Sequence, residues 1–361
     1  MKIARVFGFP SHGTKDRVSG VDFARVIQPM KQLDGFKLGD TKFETYVYDP
    51  VKDEKMDWRQ VAKDFDIIYM NYTALPWQFA TMGAMVRGQG GKIILDLDDD
   101  LWDIHSDNPA KTAYSKGSQP LKDFVSICNE VDAITTTSSF LKNIIANYTL
   151  KTHDRIKVLP NYINLDLYKH RSPFKNDGQI VLMHFGSTTH FIDLQSEEFE
   201  KGVDMIMKEY PNVILKTVGS LMPRYKWRWG QRYQDAYGHQ DVIKWITTKF
   251  PGYMDECDIL VTPLTVDTYN KAKSSIKFLE GSSAVKPGCW QDIRQYREVV
   301  DPSINGFLCA TADNWHDSIK KLIDDVELRR KMGEEAFNTV SRSWQIQSHI
   351  KDYAEWLVQF T

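Results

Sequence analysis

Short apolar runs, each followed by a stretch able to hold a helix, recur along the chain. Runs at residues 3–9, 43–48, 66–71, 91–97 and 133–138 predict strands, with a loop rich in Gly, Ser and charge at 10–20 and a helix at 22–33. After a polar stretch at 165–177 the pattern starts again, with strands at 179–186, 213–219, 242–245 and 258–262. Strands that alternate with helix-length segments are the signature of a parallel, doubly wound sheet. The repetition predicts two Rossmann-like α/β domains joined by a linker. A last helix spans about 346–360, with Trp344 just ahead of it and Tyr353, Trp356 and Leu357 on it. From periodicity alone this is an ordinary amphipathic terminal helix.

At 361 residues the chain exceeds the usual size of one domain, and its 42% hydrophobic share is ample for two packed cores. A net charge of −2 gives no global signature of a polyanion partner. Cys128, Cys257, Cys289 and Cys309 are far apart and form no CxxC pair. They read as reduced, mostly buried thiols, and a cytoplasmic location is expected. Met1-Lys-Ile opens a strand rather than a signal peptide, and no apolar run approaches the roughly 18 residues of a membrane span.

Chemistry concentrates near the end of the chain. The run 258–262 stops at Pro263, and a loop then leads into a stretch carrying Lys273, Lys277 and Glu280. At i, i+4 and i+7 these share one face of a helix. That face offers cations to a diphosphate and a carboxylate to a ribose diol, and the helix N-terminus with Ser274 and Ser275 adds donors and a favourable dipole. Taken alone, the three residues also describe a solvated Lys/Glu face. With Pro263, Asn270, Tyr296-Arg-Glu and Asn305-Gly306 around them, the sequence resembles the large retaining family of GT-B nucleotide-sugar glycosyltransferases (group 1, family four), in a divergent form.

The resemblance implies two Rossmann-like domains facing across a cleft. Residues 1–165 would hold the acceptor, 166–343 the donor, and 344–361 would cross back onto the first domain. Pro160-Asn161 stands where the family's first domain leads into its linker. The implied activity is transfer of a hexosyl or pentosyl unit from a nucleoside diphosphate-sugar to a soluble hydroxyl acceptor. Retention of configuration by front-face attack is implied, with no cofactor and no metal ion beyond the co-substrate. In the implied donor set, Glu280 takes the ribose, while Lys273, Lys277 and Ser274 face the diphosphate. Gly20, Gly186 and Ser187 bring backbone close, Asn270 lies beside the sugar, and Trp245 neighbours the base or simply packs. The sequence departs from the family at two places. The first of the family's two glutamates is replaced by Ala272, so its sugar contact is either missing or made by Asn270 or Asp267. The Arg and Lys that follow the strand-terminal glycine give way to Ser187-Thr-Thr-His190, which makes Lys273 the main catalytic cation.

Asp96-Leu-Asp-Asp-Asp100-Leu-Trp102 follows the strand at 91–97, where ligands of open α/β sheets lie. Three readings stand. Asp98 or Asp99 is a catalytic acid/base or sugar contact in place of a family histidine. Alternatively, Asp96–Asp100 binds a metal ion as in GT-A transferases. The acids also suit a helix N-terminus. Gly20 with Arg25 resembles the family's first-domain approach to the diphosphate, and His12 and Gly13 are further loop candidates. For the acceptor, residues 222–233 interleave four cations with four aromatics and no acid. Arg224, Trp227, Arg228 and Trp229 could stack bases or sugars and follow phosphates, or form a surface loop with its aromatics tucked in. A glycan, a small molecule or a hydroxymethylated pyrimidine in bacteriophage DNA are the acceptors considered, the last by base flipping. The non-enzyme reading is an inactive GT-B module that binds a nucleotide or glycan.

Overall fold

The computed structural model describes residues 1–10, 18–49, 52–53, 55–72, 76–105, 109–173, 175, 178–187, 190–237 and 241–361. His12 and Gly13 lie outside them. Two sheets organise the chain. The first contains β1 (Lys2–Phe9), β2 (Lys37–Leu38), β3 (Thr41–Val47), β4 (Ile67–Asn71), β5 (Lys92–Leu97), β6 (Ala133–Thr136) and β7 (Ile156–Val158). Their order is β2-β3-β1-β4-β5-β6-β7, parallel except for the short hairpin partner β2. The second contains β8 (Ile180–Phe185), β9 (Val213–Val218), β10 (Tyr233–Ala236), β11 (Ile259–Thr262), β12 (Gly288–Gln291) and β13 (Phe307–Cys309). It is ordered β10-β9-β8-β11-β12-β13 and is parallel throughout.

Both sheets reverse direction of winding beside their first strand, between β1 and β4 and between β8 and β11. These are the switch points at whose carboxyl ends a crevice opens. β4 and β8 are buried at every position, as strands covered by helices on both faces must be. The last helix, Ile346–Leu357, puts Ile350, Tyr353, Ala354 and Leu357 into one core with Ala4, Val6, Met30, Ile67 and Tyr69 of the first sheet's layer.

The structure differs from the sequence reading in three places. Residues 242–245 are not a strand: Asp241 accepts from the Lys244 N–H at 2.8 Å and starts a helix, Val242–Lys244, that continues through a π-turn at Trp245–Lys249. β2, β10, β12 and β13 were unread because runs of two to four residues, with Gly288 or Gln234 among them, carry no periodic signal. Finally, Lys273, Lys277 and Glu280 do not share a helix. Thr268–Ala272 is a short helix of its own, Lys273 is extended, and the next helix, Ile276–Ser283, carries only the other two.

Candidate functional site

A cavity of about 830 Å³ lies between the carboxyl ends of the two sheets, lined from one side by Gly20, Asp98, Asp99 and Asn161 and from the other by Gly186, Lys277 and Glu280. Its floor depends on two bare glycines. β8 and β9 pair in register up to Phe185 and Val218, so Gly186 and Gly219 leave the sheet side by side. Gly219 has φ +89°, and a Cβ there would stand 2.1 Å from the Gly186 carbonyl oxygen. At Gly186 a Cβ would stand 2.5 Å from the Lys277 ammonium and 2.9 Å from the His190 ring. The missing side chains are what let Lys277 cross the strand end and donate to the Phe185 carbonyl at 2.6 Å. Burial lowers the Lys277 pKa to about 8, Glu280 opposing the shift and Lys273 adding to it.

Glu280 sits one turn further on, where the Tyr168 hydroxyl donates to Oε1 at 2.7 Å. Burial pushes its carboxyl above the usual range, against the pull of Tyr168 and Lys277. Lys273 lines the same cavity from the loop between the two helices, its ammonium 4.5 Å from the centre of the Tyr269 ring. Arg294 fixes that loop by donating to the carbonyls of Lys271 and Lys273 at 2.6 and 2.7 Å. The break in the helix therefore aims the three charges at one space, although by a different route from the helical face the spacing suggested. Ser187, Ser274 and Trp245 line this space too, and Trp245 rests on Phe185, Phe250 and Tyr253. Ser274 Oγ accepts from Asn161 Nδ2 at 2.7 Å.

Asn270 does not line the cavity. It is buried, donates to Asp193 at 2.7 Å and to the Thr265 carbonyl at 2.9 Å, and so holds the loop beneath the site. The acidic run divides into parts with different tasks. Asp96 is fully buried and both its oxygens are held by Arg25, at 2.9 and 2.8 Å, with Tyr69 and Thr135 donating as well. Arg25, expected near the diphosphate, is instead a core residue that also donates to the Leu159 carbonyl and to Asn161 Oδ1. Asp96, the first acid of the Asp-x-Asp reading, is thus held in the core by Arg25 and does not line the cavity. Among the described residues no group of three or more His, Cys, Asp or Glu is placed to hold a metal ion. Asp100 caps a turn by accepting from the N–H groups of Trp102 and Asp103.

Asp98 and Asp99 alone reach the cavity. Burial, and then Asp99 and Asp96, push the Asp98 carboxyl well above the usual range, and its buried Oδ1 finds no partner among the described residues. The shift favours the protonated carboxyl, a form that can donate a hydrogen bond into the cavity. Asp99 Oδ2 accepts from Tyr269 of the other half at 3.3 Å.

The aromatic–basic segment lies elsewhere. Residues Pro223–Trp229 form a helix against Glu197–Glu209, and the acids absent from the segment itself come from there. Arg224 pairs with Glu200, Arg228 with Asp204 and Glu200, and Trp229 is buried with its N–H on Asp204. Only Trp227 is left standing out, 91% exposed. None of the four lines the cavity, because Tyr225 and Trp229 root the helix in the core shared with Phe199, Val203 and Ile206. Cavity-lining residues that the sequence reading did not nominate as ligand contacts include Tyr168, His190, Gly219 and Tyr296.

In topology the chain has the GT-B fold, two doubly wound domains facing across a cleft. Its similarity to HepE of Anabaena, solved with UDP, extends over 99% of this chain and 100% of that one, with TM-score 0.67 and 15% identity. HepE has also been solved with UDP-glucose, and that structure matches with TM-score 0.66. Sucrose-phosphate synthase of Thermosynechococcus elongatus matches over the full length of both chains at TM-score 0.62 and 14% identity. A glycosyltransferase of Rickettsia africae matches at TM-score 0.63 and 13% identity, over 100% of this chain and 99% of that one. No protein-family model matches the sequence, and no curated protein matches it either. At these identities the likeness is one of fold.

Proposed function

We propose that the protein is a glycosyltransferase that moves a sugar from a nucleoside diphosphate-sugar to a hydroxyl acceptor with retention of configuration. The observation that carries this is the convergence of Lys273, Lys277, Ser274 and Glu280 over the bare backbone of Gly186 and Gly219, at the switch points of both sheets. Residues 166–343 serve as the donor domain, and 1–165 with the helix at 344–361 as the acceptor domain. Breaking the anomeric C–O bond leaves negative charge on the diphosphate, which the two ammonium groups and the Ser274 hydroxyl are placed to stabilise. Glu280 takes the ribose diol, Trp245 flanks the base, and Asp98 gives its proton to a hydrogen bond with the sugar or acceptor. Retention follows from the likeness of the 270–280 run to the retaining family. With Arg224 and Arg228 paired away from the cleft, the acceptor is best read as a glycan or small molecule rather than DNA. Its four buried free cysteines suit the reducing cytoplasm, and no described helix is long and apolar enough to cross a membrane.

The direct test is nucleotide release from a panel of nucleoside diphosphate-sugars, with and without EDTA. Turnover that survives chelation is expected, and turnover that needs added Mg or Mn would overturn the metal-free mechanism. Glu280→Gln keeps an acceptor for Tyr168 but lacks the charge for the diol. It is expected to weaken donor binding by about 1–3 kcal/mol by calorimetry. Unchanged affinity would remove the ribose assignment.

Lys277 makes a pH prediction with two opposite signs. It is charged below about 8 and neutral above, so diphosphate affinity should fall as pH rises through that value, and Lys277→Met should lose the dependence. In the unfolded chain the same lysine keeps its proton up to 10.5. Between the two values the unfolded state binds more protons, so the contribution of Lys277 to stability should rise with pH while affinity declines. Denaturant midpoints of wild type and Lys277→Met across this range check the second sign.

A further inference from the structure

One wall of the cavity holds a histidine that the charge argument leaves unused. His190 Nδ1 lies 2.7 Å from Asp193 Oδ2, and Asp193 Oδ1 accepts from the Thr265 N–H at 3.0 Å and from Asn270 Nδ2 at 2.7 Å. A carboxylate surrounded by donors can only accept, so the ring proton sits on Nδ1 and Nε2 presents a lone pair. His190 lines the cavity, and its Nε2 has no partner among the described residues. Burial, then Lys277 and Lys273, lower the His190 pKa to about 3, so the ring stays neutral. Burial works to raise the Asp193 carboxyl, but the bond from His190 and the charge on Lys273 hold it at about 2.

The polarity of this group decides what it can meet. Phosphate oxygens are acceptors and cannot pair with a lone pair, whereas a hydroxyl can. We propose that His190 reads a hydroxyl of the transferred sugar, accepting its hydrogen bond at Nε2 while Asp193 fixes the tautomer. The inference rests on the donor-site reading above. It assigns the sugar to the wall of the cavity formed by His190, which Asp193 and Asn270 hold from behind. His190 is thus a specificity residue and Asp193 its positioning residue.

The experiment compares binding of UDP, GDP and ADP with binding of their hexose conjugates, by calorimetry, in wild type and variants of matched thermal stability. For the nucleotide that wild type binds, His190→Ala should leave diphosphate affinity within about twofold and weaken the hexose conjugate about tenfold, the loss of one hydrogen bond. His190→Gln, which restores an acceptor, should recover part of that loss. Asp193→Asn is the sharper arm. Its amide would donate to Nδ1 and move the ring proton to Nε2, so hexose-conjugate affinity should fall while diphosphate affinity holds or rises. Equal losses for diphosphate and conjugate would show an anion contact or a structural residue and overturn the proposal. No loss for either ligand in any variant would overturn it as well. A wild-type chain that binds none of the three diphosphates overturns the donor-site reading itself, a distinct outcome.

Discussion

Arg25→Met is expected to cost the fold about 3–5 kcal/mol, because it strands a charge in the core. Asp96 is fully buried, and the guanidinium that holds both its oxygens is its one cationic partner among the described residues. Tyr69 and Thr135 donate to it but bring no compensating charge. The same substitution frees the Leu159 carbonyl and Asn161 Oδ1 of a donor. A buried pair is no guarantee of net stability, since desolvating both ions costs about what their attraction returns. The expectation is therefore asymmetric: Arg25→Met with Asp96→Leu should recover most of what Arg25→Met loses. Denaturant midpoints of the single and double variants decide it. A double variant as unstable as the single would show that the loss comes from packing around residue 25.

Gly219→Ala is expected to lower turnover about 100-fold in a chain that stays folded. The residue sits at φ +89°, where an alanine is strained, and its Cβ would stand 2.1 Å from the Gly186 carbonyl oxygen. Backbone cannot yield as a flexible side chain does, so the ends of β8 and β9 must part by about 1 Å, a misplacement of the size that costs that factor. Phe185, whose carbonyl seats the Lys277 ammonium, is at the moving end. Circular dichroism should be near that of wild type while nucleotide release collapses. Undiminished release would show that the glycine floor does not set the position of the cation.

The apolar runs at 3–9, 66–71, 91–97 and 179–186 were legible because strands in a covered parallel sheet are written as local hydrophobic stretches. Glu280 and Lys277 were legible for a similar reason, being close in sequence and on one helix. The helix at 242–249 was misread because four apolar-rich residues suit either state, and the cap at Asp241 decides between them. The role of Arg25 could not be read at all, because its partner Asp96 stands 71 residues away and nothing local distinguishes a buried arginine from a cleft one. The same holds for Arg224 and Arg228, whose acids, Glu200 and Asp204, lie one helix and one strand earlier. His190 and Asp193, at i and i+3, did carry a local signal, and the sequence reading quoted the histidine only as part of a departure from the family.

The bond from Asn161 to Ser274 joins the two halves of the molecule at the ligand space. Arg25 can only donate, so Asn161 turns its oxygen toward Arg25 and its amide hydrogens toward Ser274. The serine oxygen, having accepted, keeps a hydrogen to give. A line of one-way donations thus runs from the buried guanidinium to a serine hydroxyl that lines the cavity. Separating the halves by little more than an ångström exceeds the reach of the amide, and the hydroxyl is then free to swing. Any parting of the two halves at the cavity would therefore also release the Ser274 hydroxyl from the bond that orients it.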